Sequence, residues 1–390
     1  MLLRIIFALI VACTCGCATH SQVSPSSHMS GQASETLIDA EYLLSGTALF
    51  GSAVTDNVVE PGLLEVSAEM ASFIEELAPG EPVEQRWQAL VAHFNQGSFA
   101  IEYSAQTTLS AAETFRNRSG NCLAVTLLLV ALSRELGIEA HFNQVETPQL
   151  RKFEDQHTYV NYRHINMVAY PPSGKKVVDF GLIDYQPTMY QEEISDRVAF
   201  SQYYSNRAVE VMREAGDPLY AFTLLKKAIS LSPGDSNFWL NLGAIYKRHG
   251  HFQEAAGAFQ IALQLDPKSY IAMSNMERLY RESGNAQQAL KFLEAKQELL
   301  ALNPHNQYYI SKSLFMNGEY RAAKARLQQA LKENADDHRL HFLMGKTQYL
   351  LGDLKAATSH LTKAFSLLES REIELAYEAE LSELKSTKRL

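Results

Sequence analysis

The chain has 390 residues, of which 46% are hydrophobic and 20% charged, and its formal net charge is −9. This length allows two or three domains, and the composition is that of a globular protein. No basic run exceeds two residues. Because phosphate backbones attract clustered Lys and Arg, nucleic acid is not an expected partner.

The first residues have the layout of a secretory signal. Arg4 precedes a short apolar segment at 5–12, and the sequence Thr-Cys-Gly-Cys-Ala follows at 14–18. The segment is too short for a membrane-spanning helix, which needs about 20 apolar residues. A Cys directly after a Gly resembles the lipobox of bacterial lipoproteins.

The lipobox resemblance implies cleavage before Cys17, so that 1–16 is a signal peptide and Cys17 carries diacylglycerol and acyl chains such as palmitate. Two or three chains anchor a protein firmly to a membrane. Cys13 is a second candidate, with a shorter apolar core before it. Residues 17–35 are predicted to be a flexible tether. Ala18 follows Cys17, which favours the outer membrane of a Gram-negative-type cell envelope, facing the periplasm.

Glycines recur in the second half of the chain with a fixed spacing. Each lies 34 residues after the last: Gly216, Gly250, Gly284, Gly318 and Gly352. Small alanines lie five residues beyond each glycine, and an apolar stripe follows. This self-similarity predicts stacked helical hairpins, with the glycine at the turn and the alanine where two helices approach closely.

The sequence Trp-Leu-Asn-Leu-Gly-Ala-Ile-Tyr at 239–246, followed by Gly250, Ala255, Phe259 and Pro267, resembles the tetratricopeptide repeat (TPR). The resemblance implies an all-α TPR superhelix over 202–371, followed by a capping helix at 372–390. The predicted repeats are 202–235, 236–269, 270–303, 304–337 and 338–371. Pro304 arrives three residues late in this pattern, which predicts a longer second helix in the third repeat.

TPR arrays bind proteins or peptides, so the resemblance implies such a partner. Arg207, Asn241 and Asn275 share one repeat position on the lining of the first helices. Their side chains could hydrogen-bond an extended peptide, or they could be ordinary solvated residues of the groove.

The segment 36–200 differs from the repeats and is predicted to be an α+β domain. Two amphipathic helices, one apolar helix and three strands are predicted, in this order: Leu63–Leu77, Val83–Phe94, Leu123–Leu136, Ile138–Val145, Tyr159–Tyr170 and Lys176–Phe180. Ser119 or Asn121 is the expected N-cap of the apolar helix, and Gly137 ends it.

Cys122 falls in the first turn of this apolar helix. Partial positive charge and unpaired N–H groups at a helix N-terminus favour a thiolate, which is the nucleophilic form of cysteine. Gly120 is expected to allow close approach of a substrate backbone. After lipidation of Cys17 and cleavage of the signal, Cys122 would be the one free thiol of the mature chain.

A cysteine nucleophile needs a base and a group that orients the base. The turn signal at 171–174 predicts a hairpin, and a two-residue loop at 172–173 would set Asp179 opposite Asn166 and diagonal to His164. A loop with an odd number of residues would instead put His164 and Asp179 on opposite faces of the sheet. His157 is a second candidate for the base, and Asp184 is a second candidate for the orienting acid.

The motif Arg-Ser-Gly-Asn-Cys at 118–122, the segment Ala-Leu-Ser-Arg-Glu-Leu-Gly-Ile at 131–138, and the later His164 and Asp179 resemble the transglutaminase-like (papain-like) cysteine superfamily. The resemblance covers about 85–185 and implies catalysis by Cys122, His164 and Asp179 on an amide carbonyl. Asn166 stands where an aromatic residue is common. The oxyanion donor is left open between Tyr103, Gln106 and the Cys122 N–H group.

Two functions follow from these patterns. The first is a lipid-anchored cysteine amide hydrolase or acyltransferase, peptidase-like, whose partner or substrate is held by the repeats. The alternative is a non-catalytic TPR scaffold for assembly of envelope proteins. Neither requires a cofactor, and no Cys or His cluster in the sequence has the spacing of metal ligands.

Overall fold

The computed structural model describes residues 38–387, apart from 56–57, 59–60, 96–98, 146–150, 154–158, 162–163, 180–188, 215, 303 and 369–370. Ile38–Leu390 forms one compact unit. The predicted signal peptide and tether, with Cys13 and Cys17, lie outside the described residues, as do His157 and Asp184. Among the helices of the described ranges, none has the length and hydrophobicity to cross a membrane.

Residues 38–194, called the N-terminal region below, combine helices and short strands. The helices are α1 (Ala40–Ser45), α2 (Thr47–Phe50), α3 (Ala68–Glu76), α4 (Val83–Asn95), α5 (Ala111–Asn117) and α6 (Cys122–Glu135). The strands are β1 (Glu102–Tyr103), β2 (Ser119–Gly120), β3 (Glu139–Val145), β4 (Arg151–Phe153), β5 (Tyr159–Asn161), β6 (His164–Tyr170), β7 (Lys176–Val178) and β8 (Gln191–Ile194). Four strands form an antiparallel sheet in the order β7-β6-β3-β8.

Helix α6 forms the core of this region and packs on β3 and β6. Its residues from Leu123 to Ser133 are buried, as expected for a helix that is apolar on all sides. The Asn121 side chain accepts a hydrogen bond from the Ala124 N–H at 3.0 Å. Asn121 is therefore the N-cap, and Cys122 is the first residue of the helix.

The hairpin of β6 and β7 has the predicted register. Met167 pairs with Val178 and Ala169 with Lys176. Continued by one residue, this register sets Asn166 opposite Asp179, which lies directly after the end of β7. Because side chains alternate along a strand, His164 and Asp179 share one face of the sheet.

Several predicted boundaries in the N-terminal region differ from the structure. The helix expected from Leu63 begins at Ala68, because Ser67 caps it by accepting a hydrogen bond from the Met70 N–H. The strand expected over 159–170 is two strands, since β5 pairs with β4 and not with the four-stranded sheet. Helix α5 was not predicted, although Ser110 and Glu113 form a capping box at its start.

Residues 196–366, called the repeat array below, form five consecutive helical hairpins. These are α7 (Asp196–Arg213) with α8 (Pro218–Leu231), α9 (Ser236–Arg248) with α10 (Phe252–Leu265), α11 (Tyr270–Glu282) with α12 (Ala286–Leu302), α13 (Pro304–Met316) with α14 (Tyr320–Glu333), and α15 (His338–Leu350) with α16 (Leu354–Ser366). Helix α17 (Arg371–Thr387) follows. The predicted hairpins are confirmed, whereas the predicted domain boundaries stay predictions.

The helix lengths and turns of the array match the spacing of the sequence. Helix α12 has 17 residues, against 13 or 14 in the second helices of the other hairpins, which confirms the longer helix of the third repeat. Four of the turn glycines have φ between +79° and +87°. Gly216 is the exception: its φ is not positive, and its N–H donates to the Val211 carbonyl at 2.9 Å.

A second glycine position explains how closely the two helices of a hairpin approach. A Cβ atom at Gly243 would lie 2.4 Å from the Phe259 ring, and one at Gly345 would lie 2.6 Å from Leu361. We expect Gly243→Ala to lower the free energy of unfolding by about 1–2 kcal/mol, because overpacking outweighs the helix propensity of alanine. The measurement is chemical denaturation followed by circular dichroism.

Gly234→Ala is the matched control for this prediction. A Cβ atom at Gly234 would meet nothing within 4 Å, and its φ is not positive. Its unfolding midpoint should equal that of the wild type. Equal midpoints for Gly234→Ala and Gly243→Ala would contradict the close approach of α9 and α10.

The first helices of hairpins one, three and five contact the N-terminal region. Arg134 on α6 pairs with Asp196 at the start of α7, with Nη1 2.6 Å from Oδ2. Strand β5 lies against α11. The Arg339 guanidinium on α15 lies 5.9 Å from the centre of the Tyr190 ring. The N-terminal region is thus packed along the array and not only joined to its first helix.

The beginning of the N-terminal region packs on α8 of hairpin one and on both helices, α9 and α10, of hairpin two. Phe50 meets Phe222 on α8 edge to face, with ring centres 5.5 Å apart. The Tyr246 hydroxyl on α9 donates to the Leu43 carbonyl at 2.6 Å. Leu43 is fully buried, so this segment belongs to the same hydrophobic core as the first hairpins.

Candidate functional site

Cys122, His164 and Asp179 come together where the first turn of α6 meets β6. His164 Nε2 lies 2.5 Å from Asp179 Oδ2, and the two side chains are only 3% and 7% exposed. The His164 ring also has a hydrogen bond with the Cys122 side chain. Because Nε2 is used by Asp179, Nδ1 is the ring nitrogen left for the sulfur. Cys122, His164 and Asp179 are together called the cysteine centre below.

The charge state of His164 is set by its two neighbours. Burial by itself lowers its pKa, but the hydrogen bonds and charges of Asp179 and Cys122 outweigh burial and raise the pKa to about 9. The imidazole therefore holds its proton at neutral pH. The sulfur beside it lies at a helix N-terminus, where the dipole and free N–H groups stabilise negative charge. The arrangement suits a thiolate–imidazolium pair.

A series of amide side chains, connected by hydrogen bonds, holds Asp179 in position. Asn166 Nδ2 donates to Asp179 Oδ2 at 2.9 Å. Asn143 Nδ2 donates to Asn166 Oδ1 at 2.7 Å and to Gln191 Oε1 at 2.9 Å. From the sequence, Asn166 was predicted to lie opposite Asp179 and to depart from a family pattern, but its hydrogen bond to Asp179 was not predicted. Its position opposite Asp179 in the predicted register was the signal that could have revealed its role.

Of the candidate oxyanion donors, Tyr103 lies near Cys122. It pairs with Gly120 in the short parallel ladder of β1 and β2. Burial is the larger cause that raises the pKa of its hydroxyl, and the charge of Cys122 is the second. The phenol therefore stays protonated and can donate. The Gln106 side chain is exposed, and its backbone carbonyl accepts a bond from Arg213 at 3.5 Å.

Packing explains the glycine at position 120, two residues before Cys122. A Cβ atom at Gly120 would lie 2.7 Å from the Ala124 Cβ on the first turn of α6. A side chain here would push β2 away from the helix that carries Cys122. Contact within the chain therefore explains a glycine at position 120, and the expected approach of a substrate backbone stays a prediction.

The predicted peptide-binding residues of the array make contacts within the chain. Arg207 pairs with Glu210, and one third of its side chain remains exposed. Asn241 Nδ2 donates to Ser205 Oγ at 2.9 Å. Asn275 is 3% exposed, and its Nδ2 finds no hydrogen-bond partner within the described ranges. Of the three, Arg207 therefore keeps clear access to solvent, Asn241 is half-buried, and Asn275 is enclosed.

The chain resembles known proteins through its repeats. Residues 236–269 and 310–364 each match a family model described as tetratricopeptide repeat. Anaphase-promoting complex subunit 3 of Schizosaccharomyces pombe is 25% identical over 145 residues, which are 37% of this chain and 22% of that protein. Human protein O-mannosyl-transferase TMTC3 is 27% identical over 179 residues, which are 46% of this chain and 18% of that protein.

The aligned segments therefore span about a fifth of the length of these curated relatives. Among solved structures, MamA (41 to the end) from Desulfovibrio magneticus RS-1 is 21% identical, and the match covers 44% of this chain and 96% of that chain with a TM-score of 0.25. The family matches lie on the hairpins that carry the glycine period. Within the repeat array, 236–269 and 310–364 are therefore tetratricopeptide repeats.

Proposed function

We propose that this chain is a protein- or peptide-binding scaffold that also carries a cysteine acyl-transfer centre. The matched repeats support the scaffold, since TPR hairpins stack into extended binding surfaces. Neither family match reaches the cysteine centre. A scaffold without catalysis is therefore the reading that the comparisons support better.

One observation favours catalysis as a second function. The side chains of Cys122, His164 and Asp179 form a connected hydrogen-bonded group, with the cysteine at a helix N-terminus. A purely structural core has no need to bury a cation between a thiol and a carboxylate, because unpaired or charged groups are costly there. A helix packed on an antiparallel sheet is also the arrangement that the transglutaminase-like resemblance implies.

The proposed reaction begins with attack of the Cys122 thiolate on an amide carbonyl, of a Gln side chain or a peptide bond. The C–N bond breaks as the His164 imidazolium gives its proton to the leaving amine, and a thioester forms. Asp179 holds the imidazole in one tautomer and stabilises its charge. The Cys122 N–H and the Tyr103 hydroxyl are the donors proposed for the oxyanion.

The thioester is then resolved by water or by an amine. His164 is neutral after giving up its proton. It takes a proton from the attacking water or amine while the lone pair of that water or amine adds to the carbonyl carbon. Expulsion of the Cys122 sulfur restores the thiolate–imidazolium pair. Water gives a carboxylate, and hydrolysis is the simpler of the two outcomes because it needs no second binding site.

A peptide library tests both parts of this proposal with the full chain. We expect the Cys122→Ala variant to enrich a defined sequence motif, because the array selects a segment and the variant cannot turn it over. Peptides with that motif should then form a covalent adduct with the wild type, detected by intact mass and released by hydroxylamine. No enrichment would contradict the scaffold, and enrichment without any adduct or cleavage would contradict the centre.

Anchoring at the outer membrane through lipid on Cys17 belongs to the proposal as a separate element. The lipobox-like sequence Gly-Cys at 16–17 supports it. Metabolic labelling with an alkyne fatty acid should mark the wild type and fail on Cys17→Ala. Labelling that survives in Cys17→Ala would point to Cys13 or to no lipobox.

A further inference from the structure

Glu210, on the first helix of the repeat array, is buried against the N-terminal region. It is 5% exposed, and burial raises the pKa of its carboxyl. Oε1 accepts hydrogen bonds from the Thr108 N–H at 2.8 Å and the Thr108 hydroxyl at 2.6 Å. Oε2 pairs with Arg207 Nη1 at 2.5 Å. Such charge-assisted bonds are short and directional, so Glu210 fixes the position of Thr108.

Thr108 connects this carboxylate to helix α6. Asn121 Nδ2 donates to Thr108 Oγ1 at 2.6 Å, while Asn121 Oδ1 caps the Ala124 N–H at 3.0 Å. Thr108 is fully buried and Asn121 is 5% exposed, so water does not compete for these bonds. Cys122 follows Asn121 directly. A chain of hydrogen bonds therefore leads from the array to the helix turn that carries the sulfur.

The backbone of 104–108 is held from both sides. Ser104 N–H donates to the Gly120 carbonyl at 3.1 Å, and Asn121 N–H donates to the Thr107 carbonyl at 2.9 Å. On the other side, Arg213 of α7 donates to the Gln106 carbonyl at 3.5 Å. The same segment follows Tyr103, so the array also restrains the strand that bears the candidate oxyanion donor.

We propose that Glu210 is a positioning residue of the cysteine centre, through which the repeat array sets the place of Cys122 relative to His164. This inference rests on the proposed acyl-transfer function. It assigns the array a role in the chemistry itself, besides holding a partner. Arg207, a third of which faces solvent, balances the charge of Glu210 and completes the group.

The test is the rate of iodoacetamide labelling of Cys122 in the full chain, as a function of pH. We expect Glu210→Ala to label about ten-fold more slowly than the wild type at pH 5, because a misplaced sulfur loses its partner imidazolium. Glu210→Gln keeps an acceptor for Thr108 and should label within about three-fold of the wild type. The double variant with Thr108→Val and Glu210→Ala should label no more slowly than Glu210→Ala alone, because the two residues act through the same hydrogen bonds.

Glu282→Ala is the matched control, because Glu282 pairs with the buried Lys247 inside the array and makes no hydrogen bond or ion pair with the described residues of the N-terminal region. It should label like the wild type. If Glu210→Ala does not fold, Thr108→Val carries the test. At least three-fold slowing then supports the inference, and a wild-type rate overturns it.

The outcomes separate this inference from the proposed function. Slow labelling of His164→Ala together with wild-type labelling of Glu210→Ala overturns the inference and leaves the centre standing. Wild-type labelling of His164→Ala overturns the centre and the inference with it. Equal slowing by Glu210→Ala, Glu210→Gln and Glu282→Ala indicates general loosening of the array and also overturns the inference.

Discussion

The His164→Ala variant should label with iodoacetamide at Cys122 about ten-fold more slowly than the wild type at pH 5. An isolated cysteine, with a pKa of about 8.5, has roughly one thiolate in 3,000 molecules at this pH. A neighbouring imidazolium favours the thiolate form of a cysteine, although pairing lowers the intrinsic nucleophilicity of the thiolate and removes part of the gain in rate. The ring of His164 has hydrogen bonds with both Asp179 and Cys122, so its removal abolishes the thiolate–imidazolium pair.

The pH profile makes this prediction specific. Loss of the pair should leave labelling that rises with pH up to about pH 9, as for an isolated cysteine. Labelling of the wild type should depend less on pH over the range in which His164 holds its proton. The wild-type rate should change again near pH 9, where His164 releases its proton. His93→Ala is a control, because this histidine bonds the Ala89 carbonyl on its own helix. Identical profiles for the wild type and His164→Ala would sink the acyl-transfer proposal.

The Asp179→Ala variant should have a lower His164 pKa than the wild-type value of about 9. An opposite charge within about 4–6 Å stabilises the charged form of a group, so removal of the carboxylate lowers the pKa of His164. Burial lowers the pKa of His164, and in this variant only Cys122 remains to raise it. In Asp179→Ala, the His164 imidazolium therefore persists at low pH and loses its proton at a lower pH than in the wild type. The measurement is an NMR titration of the imidazole signal that is missing from His164→Ala.

Asp179→Asn separates charge from geometry. Its amide oxygen can still accept from His164 Nε2, so the ring keeps its orientation while the stabilising charge is gone. We expect a His164 pKa between those of Asp179→Ala and the wild type. A titration near 9 in Asp179→Ala would mean that Cys122 alone supports the imidazolium, which would remove Asp179 from the mechanism.

Patterns that recur over a few residues were enough to predict much of this fold. The turn glycines and the alanines five residues later mark each hairpin, because the close approach of two helices depends on local spacing. The register of β6 and β7 followed from the turn at 171–174, since side chains alternate with a period of two. His164 and Asp179 were chosen on that register, and they lie in contact.

Contacts between distant segments were beyond the reach of these patterns. Glu210 bonds Thr108 across 102 residues, and no local spacing marks either residue. Arg207 was assigned to the binding groove from its repeat position alone. Its partner Glu210 lies three residues later on the same helix face, and this spacing is a known signal for an ion pair. The pairing of β5 with β4 likewise depends on segments outside the main sheet.

The packing of the first described residues on the array has a consequence for the order of assembly. Leu43 meets Tyr246 across 203 residues of chain. Repeat arrays fold by adding neighbouring units, whereas contacts of such long separation close slowly. During synthesis, α1 therefore waits for two hairpins to be made before its binding surface exists. The segment that carries α1 therefore reaches its final position only on completed hairpins, although it leaves the ribosome before them.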